Sequence, residues 1–261
     1  MRRHLSPKTR YIHGGAWRDP RIDHDTFRPT IEKVIDSFTS SKGPGIAAFA
    51  SVDYRLSPHP EFPQDPAETP ARKLRTARHP NHADDVQAAL AYLQRRYGFG
   101  DRYVLVGHSA GACLAFQIVA GLTSAGSISG LVLPRAVIGF EGIYDFVGLN
   151  ARMDGAYTPF FEGAFGGSRA DWDAAAPVKF TGSFEERWGG KGAKVVAALG
   201  WSRDDSLVDE LEVDNMTTRL NGDGVRTMVF KDLRGDHNEI WEDGTDVARM
   251  IAEVLDTIHD P

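Results

Sequence analysis

The chain has 261 residues, of which 41% are hydrophobic and 25% are charged, and this composition is typical of one globular domain spanning residues 1–261. A formal net charge of −6 gives no general electrostatic reason to bind nucleic acid or an anionic membrane. The only cysteine is Cys113, which excludes an intrachain disulfide.

The apolar segments are short, and none reaches the length of a membrane span. The basic N-terminus lacks the apolar segment of a secretory signal. We therefore expect a cytoplasmic protein that acts on a small molecule, without nucleic-acid or membrane partners. The oligomeric state stays open, with a homodimer as one candidate.

Along the chain, strand-like runs alternate with helical patterns. The predicted strands are residues 46–52, 103–106, 136–140, 195–199 and 226–230, and Tyr11-Ile12 could end another strand. The clearest predicted helices are residues 82–97 and 247–258. Because strands separated by helices form parallel sheets, we predict an α/β fold with a mostly parallel central sheet and helices on both faces.

Two long connections interrupt this alternation. Residues 57–81 are rich in proline, histidine and arginine and are predicted to form a surface loop. The second connection, at about residues 146–194, carries many aromatic side chains among glycines. It is predicted to be an insertion that forms either a small cap over a pocket or a satellite core.

The segment Gly107-His108-Ser109-Ala110-Gly111 lies where a predicted strand must turn sharply into a helix. The glycines two positions on either side of Ser109 permit a turn that projects the serine Oγ beyond the end of the strand. A G-x-S-x-G pattern alone occurs by chance, but this strand and helix context favours a nucleophile. We predict that Ser109 is that nucleophile.

A serine hydroxyl needs a base to remove its proton and an acid to hold the base. In a parallel sheet, both partners are expected beyond the carboxyl ends of later strands. Asp204 and Asp205 follow one such strand, and His237 follows the next. Asp205 is the preferred acid, because the apolar Leu207-Val208 pair can anchor the segment behind it, and Asp204 is the alternative.

Negative charge on an attacked carbonyl oxygen requires nearby hydrogen-bond donors. In His13-Gly14-Gly15-Ala16-Trp17, Gly14 and Gly15 can bring backbone N–H groups close to that oxygen, and Ala110 after the nucleophile supplies a further N–H group. No Cys/His cluster has zinc spacing, and no phosphate-binding glycine loop is present. We therefore predict an oxyanion hole and no metal site.

Together these motifs resemble the α/β-hydrolase superfamily, in the H-G-G-x-W branch shared with hormone-sensitive-lipase-like esterases, and most closely the fungal kynurenine formamidases. The matching segments are residues 13–20, 54–58, 107–112, 142–145, 205–208 and 237–239. That family usually has an opening hairpin before the first motif, whereas a dozen residues precede His13 here. The resemblance therefore does not decide whether this chain has the first strands of the fold.

The resemblance implies a cofactor-free hydrolysis of N-formyl-L-kynurenine to L-kynurenine and formate by the predicted triad and oxyanion donors. It also makes Trp17 and Tyr144 candidates for holding the kynurenine ring. One alternative is a broad carboxylesterase that uses the same triad on small acyl esters. Another is a catalytically silent binding protein, which the presence of all three triad residues disfavours.

Overall fold

Six parallel strands form one sheet in the computed structural model, which describes residues 7–40, 46–126, 128, 130–189 and 195–259, with the backbone alone at 38–40 and 259. The strands are β1 Lys8–Ile12, β2 Ala48–Val52, β3 Tyr103–His108, β4 Ala136–Phe140, β5 Val196–Ser202 and β6 Arg226–Leu233. Their order across the sheet is β2-β1-β3-β4-β5-β6, and every neighbouring pair is parallel. The predicted parallel α/β sheet is confirmed.

Helices cover both faces of this sheet. They are α1 Arg28–Ser40, α2 Asn81–Tyr97, α3 Ala110–Ala120, α4 Phe146–Arg152, α5 Thr158–Phe165, α6 Arg169–Ala175, α7 Glu210–Gly222, α8 Glu239–Asp243 and α9 Thr245–His259. Side chains of α2, α3 and α7 belong to the core on one face, and those of α1 and α9 belong to the core on the other. Among the described residues, no helix is both long and apolar enough to cross a membrane.

The two helices predicted from periodicity show why these segments are helical. In α2, Ala83, Val86 and Leu90 recur at helical spacing and are all buried. The helix ends at Gly98, whose φ of 60° is the left-handed conformation of a glycine cap. In α9, Val247 and Ile251 pack in the same way against the opposite face.

Strand β1 is longer than the sequence predicted. It begins at Lys8 rather than near Tyr11, and it pairs with both β2 and β3 along its whole length. Thr9 and Arg10 are polar but buried, and the Arg10 guanidinium lies 4.7 Å from the centre of the Phe99 ring. An apolar pattern therefore could not reveal the first half of this strand.

The aromatic connection between β4 and β5 folds into α4, α5 and α6 and then two short helical turns. Phe161, Phe165 and Trp172 are buried in the core that also contains α2 and α3. Residues 190–194 of the predicted insertion lie outside the described residues. The other long connection, predicted over residues 57–81, ends where α2 begins at Asn81, and before that point its regular structure is one short 3-10 turn, Ala71–Lys73.

Candidate active site

Close backbone contacts hold the turn at Ser109. Strand β3 ends at His108 and helix α3 begins at Ala110, so Ser109 alone makes the turn, with φ 52° and ψ −120°. Non-glycine residues occupy that region only where the surroundings enforce it. A Cβ on Gly107 would overlap the backbone of Gly111, and a Cβ on Gly111 would overlap the carbonyl oxygens of the segment that follows β1. Packing therefore requires both glycines.

The structure brings Asp205, and not Asp204, to His237. His237 Nδ1 lies 2.8 Å from Asp205 Oδ2, while Oδ1 of the same carboxylate accepts the N–H groups of Leu207 and Val208 at 2.7 and 2.9 Å. Asp204 is exposed. Burial acts to raise the pKa of Asp205, but its hydrogen bonds, led by the one from His237, outweigh burial and lower the pKa to about 2. The ionised carboxylate thus accepts a hydrogen bond from the Nδ1–H group, which leaves Nε2 as the basic nitrogen.

Two further contacts fix the segment that carries His237. His108 is fully buried, and its Nε2–H donates to the His237 carbonyl oxygen at 2.9 Å. Burial holds the pKa of His108 well below its usual range, so this ring is neutral. Asp236 Oδ1 accepts the N–H groups of Ser206 and His237 at 2.8 and 2.7 Å, which ties the Asp205 loop to the histidine loop.

Ser109 and His237 line the same cavity. In this conformation no hydrogen bond joins their side chains, both of which lie in the described part of the chain. Catalytic hydrogen bonds are often long before substrate binds and tighten in the complex. The geometry is therefore compatible with the predicted triad, and the roles of its members stay predictions.

Glu141, which no sequence motif marks, lies beside Asp205. It follows β4 at the carboxyl edge of the sheet, is fully buried and has a φ of 49°. Its Oε1 accepts the N–H group of Ser202 at 2.9 Å, and its buried Oε2 has no hydrogen-bond partner among the described residues. Ligand-type atoms of Glu141, Asp205 and His237 all lie within 4.8 Å of one another.

Two buried carboxyl groups in contact cannot both be ionised at low cost. Burial raises the pKa of Glu141 to about 11, and the nearby Asp205 carboxylate adds to the effect. Glu141 is therefore a neutral acid, and its carboxyl proton lies close enough to Asp205 to be shared with that carboxylate. A metal ion bound here would displace the carboxyl proton of Glu141 and break the 2.8 Å contact between Asp205 and His237. The arrangement therefore fits a proton better than a metal ion.

The glycines of the first motif lie against the nucleophile. A Cβ on Gly14 would be 3.1 Å from Ser109 Cβ, and Gly15 has a φ of 84° and lines the cavity. The Tyr54 hydroxyl donates to the Gly14 carbonyl at 2.9 Å, and its ring stacks on His13 at 4.4 Å. Tyr54 thus fixes the conformation of this loop.

Backbone N–H groups in this region are open to a ligand. Within the described chain, no protein acceptor is bonded to the N–H group of Gly14, Gly15 or Ala110. Ala110 is the first residue of α3, where N–H groups lack a partner within the helix. The structure therefore brings the three predicted donors to the nucleophile, and their binding of an oxyanion stays a prediction.

Comparison with characterised proteins identifies the family. Kynurenine formamidase avaC of Aspergillus versicolor is 37% identical over 254 residues, which cover 88% of this chain and 82% of the relative. A kynurenine formamidase-like hydrolase of Fusarium equiseti, fscH, is 34% identical over 259 residues, covering 96% and 83%. The chain belongs to the kynurenine formamidase family. No protein-family model matches it.

The fold is shared with more distant esterases. A solved structure of esterase B from Lactobacillus rhamnosis has a TM-score of 0.67 over 99% of this chain and 79% of its own, at 17% identity. Similarity at that level shows the fold alone. This member of the kynurenine formamidase family therefore has the α/β-hydrolase fold, as its motifs predicted.

In this formamidase-family chain a cavity of about 510 Å³ opens above the nucleophile. Ser109 and His237 contribute to its lining, and Tyr157, Phe160 and Trp241 add aromatic surface. The first two of these aromatic residues come from the inserted connection, which therefore serves both the cavity and the core.

The two aromatic residues predicted to hold the substrate lie elsewhere. Trp17 is fully buried and packs against Phe146, Phe161 and Phe165, with ring centres 5.7, 6.1 and 4.9 Å away. Tyr144 is also fully buried and lies against the glycines of β4 and the following turn. Neither contributes to the cavity lining. A residue near a catalytic motif can point into the core as easily as into the pocket, and the sequence does not distinguish the two.

Proposed function

We propose that this protein hydrolyses N-formyl-L-kynurenine to L-kynurenine and formate through a formyl-serine intermediate. The observation that carries the proposal is the pairing of Asp205 with His237 beside Ser109, in a cavity whose aromatic wall suits an aryl amide. A relative named as a kynurenine formamidase, at 37% identity, and a kynurenine formamidase-like hydrolase, at 34% identity, each cover most of the chain and support the same substrate.

In the first half of the reaction, His237 Nε2 takes the proton of the Ser109 hydroxyl as Oγ attacks the formyl carbon. The carbonyl oxygen becomes an oxyanion and accepts hydrogen bonds from the N–H groups of Gly14, Gly15 and Ala110. Because the ionised Asp205 faces Nδ1, it stabilises the imidazolium that forms. The C–N bond then breaks as Nε2 returns its proton to the aniline nitrogen, and L-kynurenine leaves.

In the second half, the formyl group is an ester of Ser109. A water molecule gives a proton to His237 Nε2 and attacks the formyl carbon. The second tetrahedral intermediate collapses, Ser109 regains its proton from the imidazolium, and formate leaves. No group outside the protein and water is required.

The test compares three substrates on the purified protein: N-formyl-L-kynurenine, 2-acetamidoacetophenone and p-nitrophenyl acetate. We expect the highest kcat/KM for the formyl compound and little hydrolysis of the acetyl anilide, with Ser109→Ala as the inactive control. Much more efficient hydrolysis of p-nitrophenyl acetate than of N-formyl-L-kynurenine would contradict the proposal and support a general carboxylesterase.

A further inference from the structure

Arg18 is a buried cation on the cavity wall without a carboxylate partner among the described residues. Its side chain lines the cavity, and the residue is 8% exposed. The guanidinium lies 3.8 Å from the centre of the Phe160 ring, and Nη1 donates to the Pro159 carbonyl at 3.3 Å. Across the described ranges no carboxylate forms an ion pair with it, and the buried Nε has no hydrogen-bond partner. Burying an unpaired charge is costly unless an anion compensates it.

The nearest acids are not available as that anion. Asp19 accepts two hydrogen bonds from the Arg21 guanidinium, at 3.0 and 2.7 Å, and a third from the Arg21 N–H group at 2.9 Å. Glu61 is exposed to solvent and acts on Arg18 only through its charge at a distance. Apart from the Nη1 hydrogen bond to the Pro159 carbonyl, no acceptor among the described residues is bonded to the Arg18 guanidinium, which leaves donors for a ligand.

His59 adds a neutral donor to the lining of the same cavity. It is 9% exposed, and its Nδ1 accepts the N–H group of Glu61 at 3.1 Å, so the neutral ring carries its proton on Nε2. Burial and the nearby charge of Arg18 lower the pKa of His59, which favours this neutral form.

We propose that Arg18, assisted by His59, forms an anion subsite that binds the α-carboxylate of the substrate's amino-acid end. This inference rests on the proposed function and names what recognises the part of the substrate that does not react. The α-carboxylate is the one anionic group of N-formyl-L-kynurenine. A guanidinium presents paired N–H donors that match a carboxylate in geometry and charge, and its stacking on Phe160 pre-orients it.

The first test uses the unmodified protein and three formanilides that share the same ring and ketone. These are N-formyl-L-kynurenine, its α-carboxamide, and 2-formamidoacetophenone, which lacks the amino-acid end. We expect kcat/KM for the carboxylate substrate to exceed that for the carboxamide by roughly 10- to 100-fold, mostly through KM. Equal values for the acid and the carboxamide would overturn the subsite while leaving formamidase activity established.

The second test asks whether Arg18 is responsible for the preference for the carboxylate substrate. Arg18→Met keeps an unbranched side chain against Phe160 and should remove the preference for the carboxylate, with 2-formamidoacetophenone hydrolysed as in the wild type. Arg28→Met is the matched control, because it removes one exposed positive charge outside the cavity lining and leaves Asp19 paired with Arg21, and it should keep the preference.

A purely structural role for Arg18 would give a different result. Arg18→Met would then lower kcat/KM for all three formanilides by the same factor, and that result would overturn the proposal. If Arg18→Met does not fold, the acid and carboxamide comparison on the wild type decides alone. Failure of the wild type to hydrolyse any of the formanilides would remove the proposed function and this subsite together.

Discussion

Glu141 makes the stability of this protein depend on pH in a way that can be worked out from the structure. Its pKa is raised from 4.5 to about 11, so over the range between these values the native state holds a proton that the unfolded chain has lost. The stabilising contribution of Glu141 to the native state is fully present below about pH 4.5 and is lost as the pH rises towards 11. Between these two pH values, the titration of Glu141 should therefore lower the free energy of unfolding by about 1.4 kcal/mol for each unit of pH increase.

The substitution Glu141→Gln removes this titration and keeps the shape of the side chain. Its amide can still donate to Asp205 and accept the Ser202 N–H group. Between pH 6 and pH 9, the wild type should lose about 4 kcal/mol more unfolding free energy than the variant. Other titrating groups occur in both proteins and cancel in the difference. Urea unfolding at each pH measures it, and Glu32→Gln, at an exposed position of α1, should behave as the wild type.

Catalytic activity provides a second test of the role of Glu141. At pH 7, Glu141→Gln should keep kcat within about threefold of wild type, whereas Glu141→Leu should lose roughly 10- to 100-fold because Asp205 and the Ser202 N–H group lose a partner. Equal pH slopes for wild type and Glu141→Gln would mean that Glu141 is ionised and would refute the reasoning. Loss of activity in Glu141→Gln that a divalent cation restores would instead indicate a metal site.

Three further substitutions test the site. Asp205→Asn should lower kcat on the order of 10⁴-fold in a steady-state assay, because the orienting carboxylate is lost, while Asp204→Asn should stay near wild type; the reverse order would contradict the geometry. Tyr54→Phe should lower kcat/KM by about tenfold, because the Gly14 carbonyl loses its hydroxyl donor, and unchanged kinetics would show that the loop holds its conformation without it. Gly111→Ala should lower the unfolding free energy by about 3 kcal/mol in urea denaturation, because the new Cβ meets the segment after β1; wild-type stability would contradict that packing.

The positions of the main catalytic candidates could be predicted because they depend on local pattern and sheet topology. The G-x-S-x-G turn needs only a strand before it and a helix after it, and both are visible in the apolar pattern. In a parallel sheet, functional residues are expected just after the carboxyl ends of the strands, and this edge rule predicts Asp205 after β5 and His237 after β6. The choice between Asp204 and Asp205 needed coordinates, because it depends on how one loop turns.

What could not be predicted depends on packing between distant segments. Trp17 and Tyr144 look like pocket residues from their motifs, but Trp17 packs against Phe165 and Tyr144 against Phe116, both far along the chain. Glu141 follows β4 just as Asp205 follows β5, so the same edge rule could have marked it. Its protonation arises from complete burial beside Asp205, which the sequence does not reveal.

The central claim is that Ser109 accepts the formyl group of N-formyl-L-kynurenine. Rapid quenching during turnover, followed by peptide mass spectrometry, measures this directly. We expect a formyl ester on Ser109 in the peptide that spans β3 and α3, and neither this ester nor turnover in Ser109→Ala. Formylation of a different residue, or continued release of L-kynurenine by Ser109→Ala, would contradict the account.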